Sequence, residues 1–234
     1  MANPADIAFL VDVDNTLLDN DAVIADLRRH LNDRFGPDCE RRYWEIFEEL
    51  RAQLGYADYL GALQRYRLEH PREPRVLEIA LYLLQYPFAD RVYPGALDAV
   101  ARLSARGPVV VLSDGDVVFQ PRKVERSGLW AVVEGRVLIY IHKEEMLDDM
   151  QMRYPAKRYV MVDDKLRLLA AMKAVLGERL FTVFPRQGHY ALDPDTLATN
   201  PRSDVSIEHV GDLLRYDLAA LLAAAAGRHV VDAS

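Results

Sequence analysis

The chain has 234 residues, half of them apolar, and a formal net charge of −7. That is enough for one substantial core, or a core with a smaller insert, and no strongly basic stretch marks a nucleic-acid surface. The single cysteine, Cys39, cannot form an internal disulfide and reads as a bystander.

The N-terminal stretch "MANPADIAFLVDVDNT" has no basic leader and runs straight into acids, unlike a signal peptide. Its apolar part, 7–13, is the first predicted strand. Further short apolar runs follow at 108–113, 137–141, 158–163 and 180–184. Each is nearly continuous in Val, Ile, Leu, Phe or Tyr, which suits strands buried on both faces of a parallel sheet. Helical patterns lie between them at 94–107, 117–128 and 165–177. This alternation predicts βαβ units and a doubly wound α/β sheet.

The segment between the first two strands has a different character. Residues 20–87 hold no strand pattern and predict helices over 20–35, 40–54, 56–69 and 74–86. Such a length exceeds an ordinary crossover and predicts an inserted helical subdomain. The expected division is therefore 1–19 and 88–234 for the α/β core, and 20–87 for a helical cap. Near the C-terminus, the apolar "DLAALLAAAAG" is too short to span a bilayer. A cytoplasmic protein is expected, with no membrane or nucleic-acid partner, as a monomer or homodimer.

In open α/β sheets, ligands bind beyond the carboxyl ends of the strands. The first strand ends in Asp12-Val13-Asp14-Asn15-Thr16, the second in Ser113-Asp114-Gly115-Asp116. The third is followed by His142-Lys143, and the fourth ends in Asp163-Asp164. Residues two apart on an extended chain face one side, which places Asp12 and Asp14 in one site. Clustered carboxylates require a cation, and a hard divalent ion such as Mg²⁺ suits them together with phosphate oxygens. Asp12 can attack phosphorus, and Asp14 can exchange protons with the leaving oxygen and water. Ser113 and the amides of Asp114 and Gly115 can hold phosphate. Lys143 can neutralise developing charge. Asp116 reads as the cap of the following helix.

"DVDNT", "VVLSDG", "HK" and "VMVDD", in that order, resemble the four motifs of the haloacid dehalogenase-like hydrolase superfamily. The resemblance covers about residues 7 to 190. It implies a Rossmann-like core, Mg²⁺ dependence, a covalent aspartyl-phosphate, and a helical cap between the first and second motifs. It also implies roles: Asp12 as nucleophile and metal ligand, and Asp14 as acid/base with its backbone carbonyl on the metal. Thr16 would steady the loop, Ser113 and Lys143 would bind phosphate, and Asp163 would ligate metal. Asp164 would ligate directly, through water, or support the ligands. Dehalogenases of the family lack the second aspartate, so Asp14 implies the phosphatase branch. Three positions depart from the common pattern. Val162 stands where many relatives have Gly before the fourth-motif acid. Glu144 stands where many relatives have Pro after the lysine, and Arg167 stands where many have a second acid.

The predicted activity is Mg²⁺-dependent hydrolysis of a small phosphorylated metabolite. A phosphomutase of the same superfamily and a non-catalytic phosphate-binding protein are the alternatives. Within the cap, Tyr43, Trp44, Tyr56, Tyr59, Arg65, Tyr66 and Arg67 read first as packing and solvated faces, with a pocket wall as the other possibility. Arg186, Gln187 and His189 read as a structural loop that borders the site.

Overall fold

A computed structural model of the chain describes residues 4–216 and residue 223. Strand β1 (Ala5–Val11) leads into four helices, α1 (Asn20–Phe35), α2 (Pro37–Leu54), α3 (Tyr59–Glu69) and α4 (Val76–Gln85). The chain continues through α5 (Ala96–Ser104), β2 (Val109–Asp114), α6 (Phe119–Arg126), the single turn α7 (Leu129–Val132) and β3 (Val137–Tyr140). Then come α8 (Leu147–Arg153), β4 (Ala156–Val162), α9 (Leu166–Leu176) and β5 (Leu180–Pro185). Short helices α10 (Gly188–Leu192) and α11 (Pro194–Thr199) precede β6 (Val205–Ile207). The alanine-rich C-terminal stretch lies outside the described residues.

The six strands form one sheet in the order β3-β2-β1-β4-β5-β6, with every pair parallel. The continuous apolar runs follow from burial of both faces. Phe9, Val11, Val109, Val111, Val160 and Val162 belong to one buried cluster, and Ala8, Leu10, Val110, Leu112 and Met161 to another. The period-2 alternation of the strands assigns successive residues to opposite clusters.

Five strands match those predicted. The sixth, β6, is only three residues long and sits at the sheet edge, where a short polar-flanked run carries no periodic signal. Strand β1 ends at Val11, so Asp12 opens the loop beyond it. There Asn15 adopts φ 59°, and its Oδ1 accepts from the Asn20 and Asp21 amides at 3.0 and 3.2 Å. That pins the start of α1, whose first turn is also capped by Asp19 through the Ala22 amide at 2.9 Å.

Helices α1–α4 pack on the same cluster as the α5 and α6 side of the sheet. Tyr59 meets Phe119 of α6 with ring centroids 4.9 Å apart, and Tyr43 donates to the Tyr59 carbonyl at 2.9 Å. Among the described residues no helix is long and apolar enough to cross a membrane.

Candidate active site

The strand ends carry Asp12, Ser113, Lys143 and Asp163 to one edge of the sheet. Lys143 is fully buried between two carboxylates. Its Nζ lies 2.5 Å from Asp12 Oδ1 and 2.6 Å from Asp163 Oδ2, and donates to the Leu112 carbonyl at 3.3 Å. The Asp163 contact is an ion pair without hydrogen-bond alignment. Burial disfavours the Lys143 charge, but Asp12, Asp163 and Asp114 outweigh it and raise its pKa above the ordinary lysine value. The neighbouring carboxylates thus favour the charged ammonium.

Asp163 Oδ1 accepts from the Lys165 amide at 2.8 Å. Burial raises the Asp163 carboxyl to about 6, against the pull of Lys143. Burial likewise pushes Asp164 well above the usual carboxylate range, with Lys165 opposing. Both Asp164 oxygens and Asp12 Oδ2 are buried and have no hydrogen-bond partner among the described residues. Buried carboxylate oxygens without partners are costly. Asp12, Asp163 and Asp164 each offer one oxygen within 4.8 Å of the others. Among the described residues the cations that face these carboxylates are Lys143 and Lys165, and a metal ion fits the orphaned oxygens.

Thr16 Oγ1 accepts from the Asp164 amide at 3.0 Å, and Gln187 Nε2 donates to the Thr16 carbonyl at 3.1 Å. Thr16 thus joins the first and fourth strand ends. Gln187 is a buried brace, while Arg186 pairs with Glu208 at 3.2 Å. Gly188, at φ 71°, lies so close to Asn15 that a Cβ would stand 2.4 Å from the Asn15 Cβ. Gly188→Ala is expected to lower stability by about 1–3 kcal/mol, read as a shifted urea midpoint at unchanged m-value.

Asp14 is held differently from Asp12. Strand alternation stops at Val11, and the two acids have different partners. Asp14 Oδ1 is 2.6 Å from Lys123 Nζ, and its Oδ2 accepts from Gln120 Nε2 at 3.4 Å. Lys123 is fully buried and also donates to Asn20 Oδ1 at 3.0 Å. The Asp14 carboxylate is thus held outside the trio of acids, which leaves its backbone carbonyl for any metal contact.

Ser113 is buried, and its Oγ accepts from Gln120 Nε2 at 3.0 Å. A Cβ on Gly115 would lie 2.7 Å from the Gln120 Cβ, so glycine allows this approach. The Gly115 amide, expected to be available for phosphate, donates instead to the Tyr140 carbonyl at 3.0 Å. The parallel β2–β3 ladder extends one residue past the strand and takes it. Asp114 Oδ1 accepts from the Lys143 amide at 2.7 Å, and burial raises its pKa. Asp116 caps α6 through the Val118 and Phe119 amides at 2.8 and 2.7 Å.

Lys123 and Gln120 were not singled out from sequence. Phe119, Gln120, Lys123 and Val124 form the buried face of α6, so a lysine and a glutamine among apolar helix positions were the available signal. Two of the departures from the family pattern meet in space: Arg167 Nη1 donates to Glu144 Oε1 at 3.2 Å.

A cavity of about 540 Å³ opens between this edge and the helices. Asp14, Asp114, Lys165 and His189 line it from one side, and Trp44, Tyr56 and Tyr59 from the other. Of the other cap candidates, Tyr43 and Tyr66 are buried in packing, Arg65 bonds Gln53 at 2.9 Å, and Arg67 is exposed.

A family profile described as haloacid dehalogenase-like hydrolase matches residues 8–175. The chain belongs to that family. The hydrolase is 65% identical to a haloacid dehalogenase-like hydrolase from Burkholderia xenovorans LB400, with TM-score 0.89 over 94% of this chain and 99% of that one. It shares its fold with a haloacid dehalogenase-like family hydrolase from Xanthomonas campestris at 21% identity and TM-score 0.64, over 96% and 95% of the two chains. It also shares its fold with the L-2-haloacid dehalogenase of Xanthobacter autotrophicus at 18% identity and TM-score 0.61, over 89% and 96%. No curated protein matches the chain.

Proposed function

We propose that this hydrolase is a Mg²⁺-dependent phosphatase for a small phosphomonoester, acting through a covalent phosphoryl group on Asp12. Residues 20–87 act as the cap over a core of 1–19 and 88–234. The observation that carries the reading is the pairing of two differently held acids. Asp12 is buried with Lys143, while Asp14 faces the cavity beside Lys123.

Asp12, Asp163 and Asp164 would hold the ion, with the Asp14 carbonyl as a further ligand. When bound, Mg²⁺ supplies charge neutralisation for the phosphoryl oxygens. The chain's own residues carry the steps. A carboxylate oxygen of Asp12 attacks phosphorus, and the bond from phosphorus to the ester oxygen breaks. Asp14, protonated, gives its proton to the departing oxygen. Water then attacks phosphorus and loses a proton to Asp14, and the bond to Asp12 breaks to release phosphate. Ser113 Oγ holds a phosphoryl oxygen, and Lys143 balances charge without changing its own protonation. The cap excludes bulk water during transfer.

Kinship with haloacid dehalogenases supports a second reading, carbon–halogen hydrolysis by the same Asp12. Asp14 favours the phosphatase, because displacement of halide needs no proton for the leaving group. Phosphate release from a phosphomonoester panel, assayed with Mg²⁺ and after chelation, separates the two. We expect turnover that EDTA abolishes and Mg²⁺ restores. Halide release from 2-chloropropionate with no phosphate from any ester would reverse the assignment, and a requirement for a bisphosphate activator would identify a mutase.

A further inference from the structure

The cavity is larger than one phosphoryl group requires, and its size suits a ligand of many heavy atoms. Its cap wall is rich in donors. Arg28, Trp44 and Arg51 all line it. Trp44 is 5% exposed, and its buried Nε1–H has no hydrogen-bond partner among the described residues. A buried indole N–H ordinarily has one. The Arg28 guanidinium stacks over the Trp44 ring at 4.3 Å from its centroid, which fixes the two groups together. Arg51 donates to the Tyr190 hydroxyl across the cavity. Two carboxylates already face these arginines: Glu48, which also lines the cavity, stands 3.6 Å from Arg51, and Glu40 accepts a hydrogen bond from the half-exposed Arg28. Phe47 and Tyr56 add flat apolar surface to the same cavity.

We propose that this wall is a second anion subsite. The leaving group of the substrate carries a carboxylate or a second phosphate on a flat spacer, received by Trp44 Nε1–H, Arg28 and Arg51. The inference rests on the phosphatase reading and names its substrate class. An orphaned donor packed against the Arg28 guanidinium, on a wall that Arg51 also lines, calls for an acceptor with several lone pairs, which an anionic oxygen group supplies.

The test compares phenyl phosphate, 4-carboxyphenyl phosphate and 1,4-phenylene bisphosphate. We expect KM for the two substrates with a distal anion to lie at least about tenfold below that for phenyl phosphate. The better of the two identifies the anion. Trp44→Phe keeps a ring and removes the donor, and Arg51→Gln removes the charge. In each variant the KM advantage should fall to within about threefold. Equal KM for all three esters, or an advantage intact in both variants, overturns the subsite.

If no ester is hydrolysed, the phosphatase reading fails and the subsite is read separately. In a Trp130→Phe background, which leaves Trp44 as the only tryptophan, benzene-1,4-dicarboxylate should change the emission saturably. Arg51→Gln should weaken that binding about tenfold. An emission that does not respond refutes the subsite whatever the reaction.

Discussion

Asp12→Asn should reduce phosphate release by at least about 10⁴-fold while the protein still unfolds in a single cooperative transition. The amide has nearly the same shape, and its oxygen can still accept from Lys143, which lies 2.5 Å from Asp12 Oδ1. Lys143 also keeps Asp163 and the Leu112 carbonyl. One negative charge leaves a cluster with more acids than cations, so the fold loses little. The measurement is single-turnover phosphate release beside a urea melt. Turnover within tenfold of the native enzyme would exclude Asp12 as the nucleophile. An unfolded variant would show instead that the carboxylate is structural.

Lys143→Met should both inactivate and destabilise. The ammonium is the sole side-chain partner of Asp12 among the described residues, and it also pairs with Asp163. Removing one member of a buried ion pair costs about 3–5 kcal/mol, because the opposite charge is left without compensation. Here two carboxylates lose the same partner. Lys143→Arg should rescue poorly, since a planar guanidinium does not fit a fully buried point-charge site. Denaturant midpoints for the three proteins decide the matter. A Met variant as stable as the native chain would show that the acids discharge each other by sharing protons.

Much of this site is legible in sequence because its groups follow apolar runs. Continuous Val, Leu and Phe locate buried parallel strands, and the residues just beyond them must gather at one edge. That logic gathers Asp12, Ser113, Lys143 and Asp163 there. The same logic fails once the chain leaves the strand. Spacing puts Asp12 and Asp14 at one site, but the strand alternation ends at Val11, so the pairing of Asp14 with Lys123 is not readable from it. Gly115 was expected to present its amide, yet one further sheet hydrogen bond takes it. Lys123 and Gln120 stayed hidden because polar residues in a helix read as solvated unless the helix's inner face is known. In the cap, Trp44 and Tyr43 are adjacent in sequence and equally aromatic. Only packing separates the cavity wall from the interior.

The contact between Arg167 and Glu144 changes how the departures from the family pattern should be counted. Compared position by position, a missing proline and a missing acid look like two independent defects in the catalytic motifs. In the folded chain they form one ion pair, between the turn after β3 and the first turn of α9, and the charges of the two side chains cancel. An acid at 167 beside Glu144 would set two negative charges side by side, so a change at either position is felt at the other.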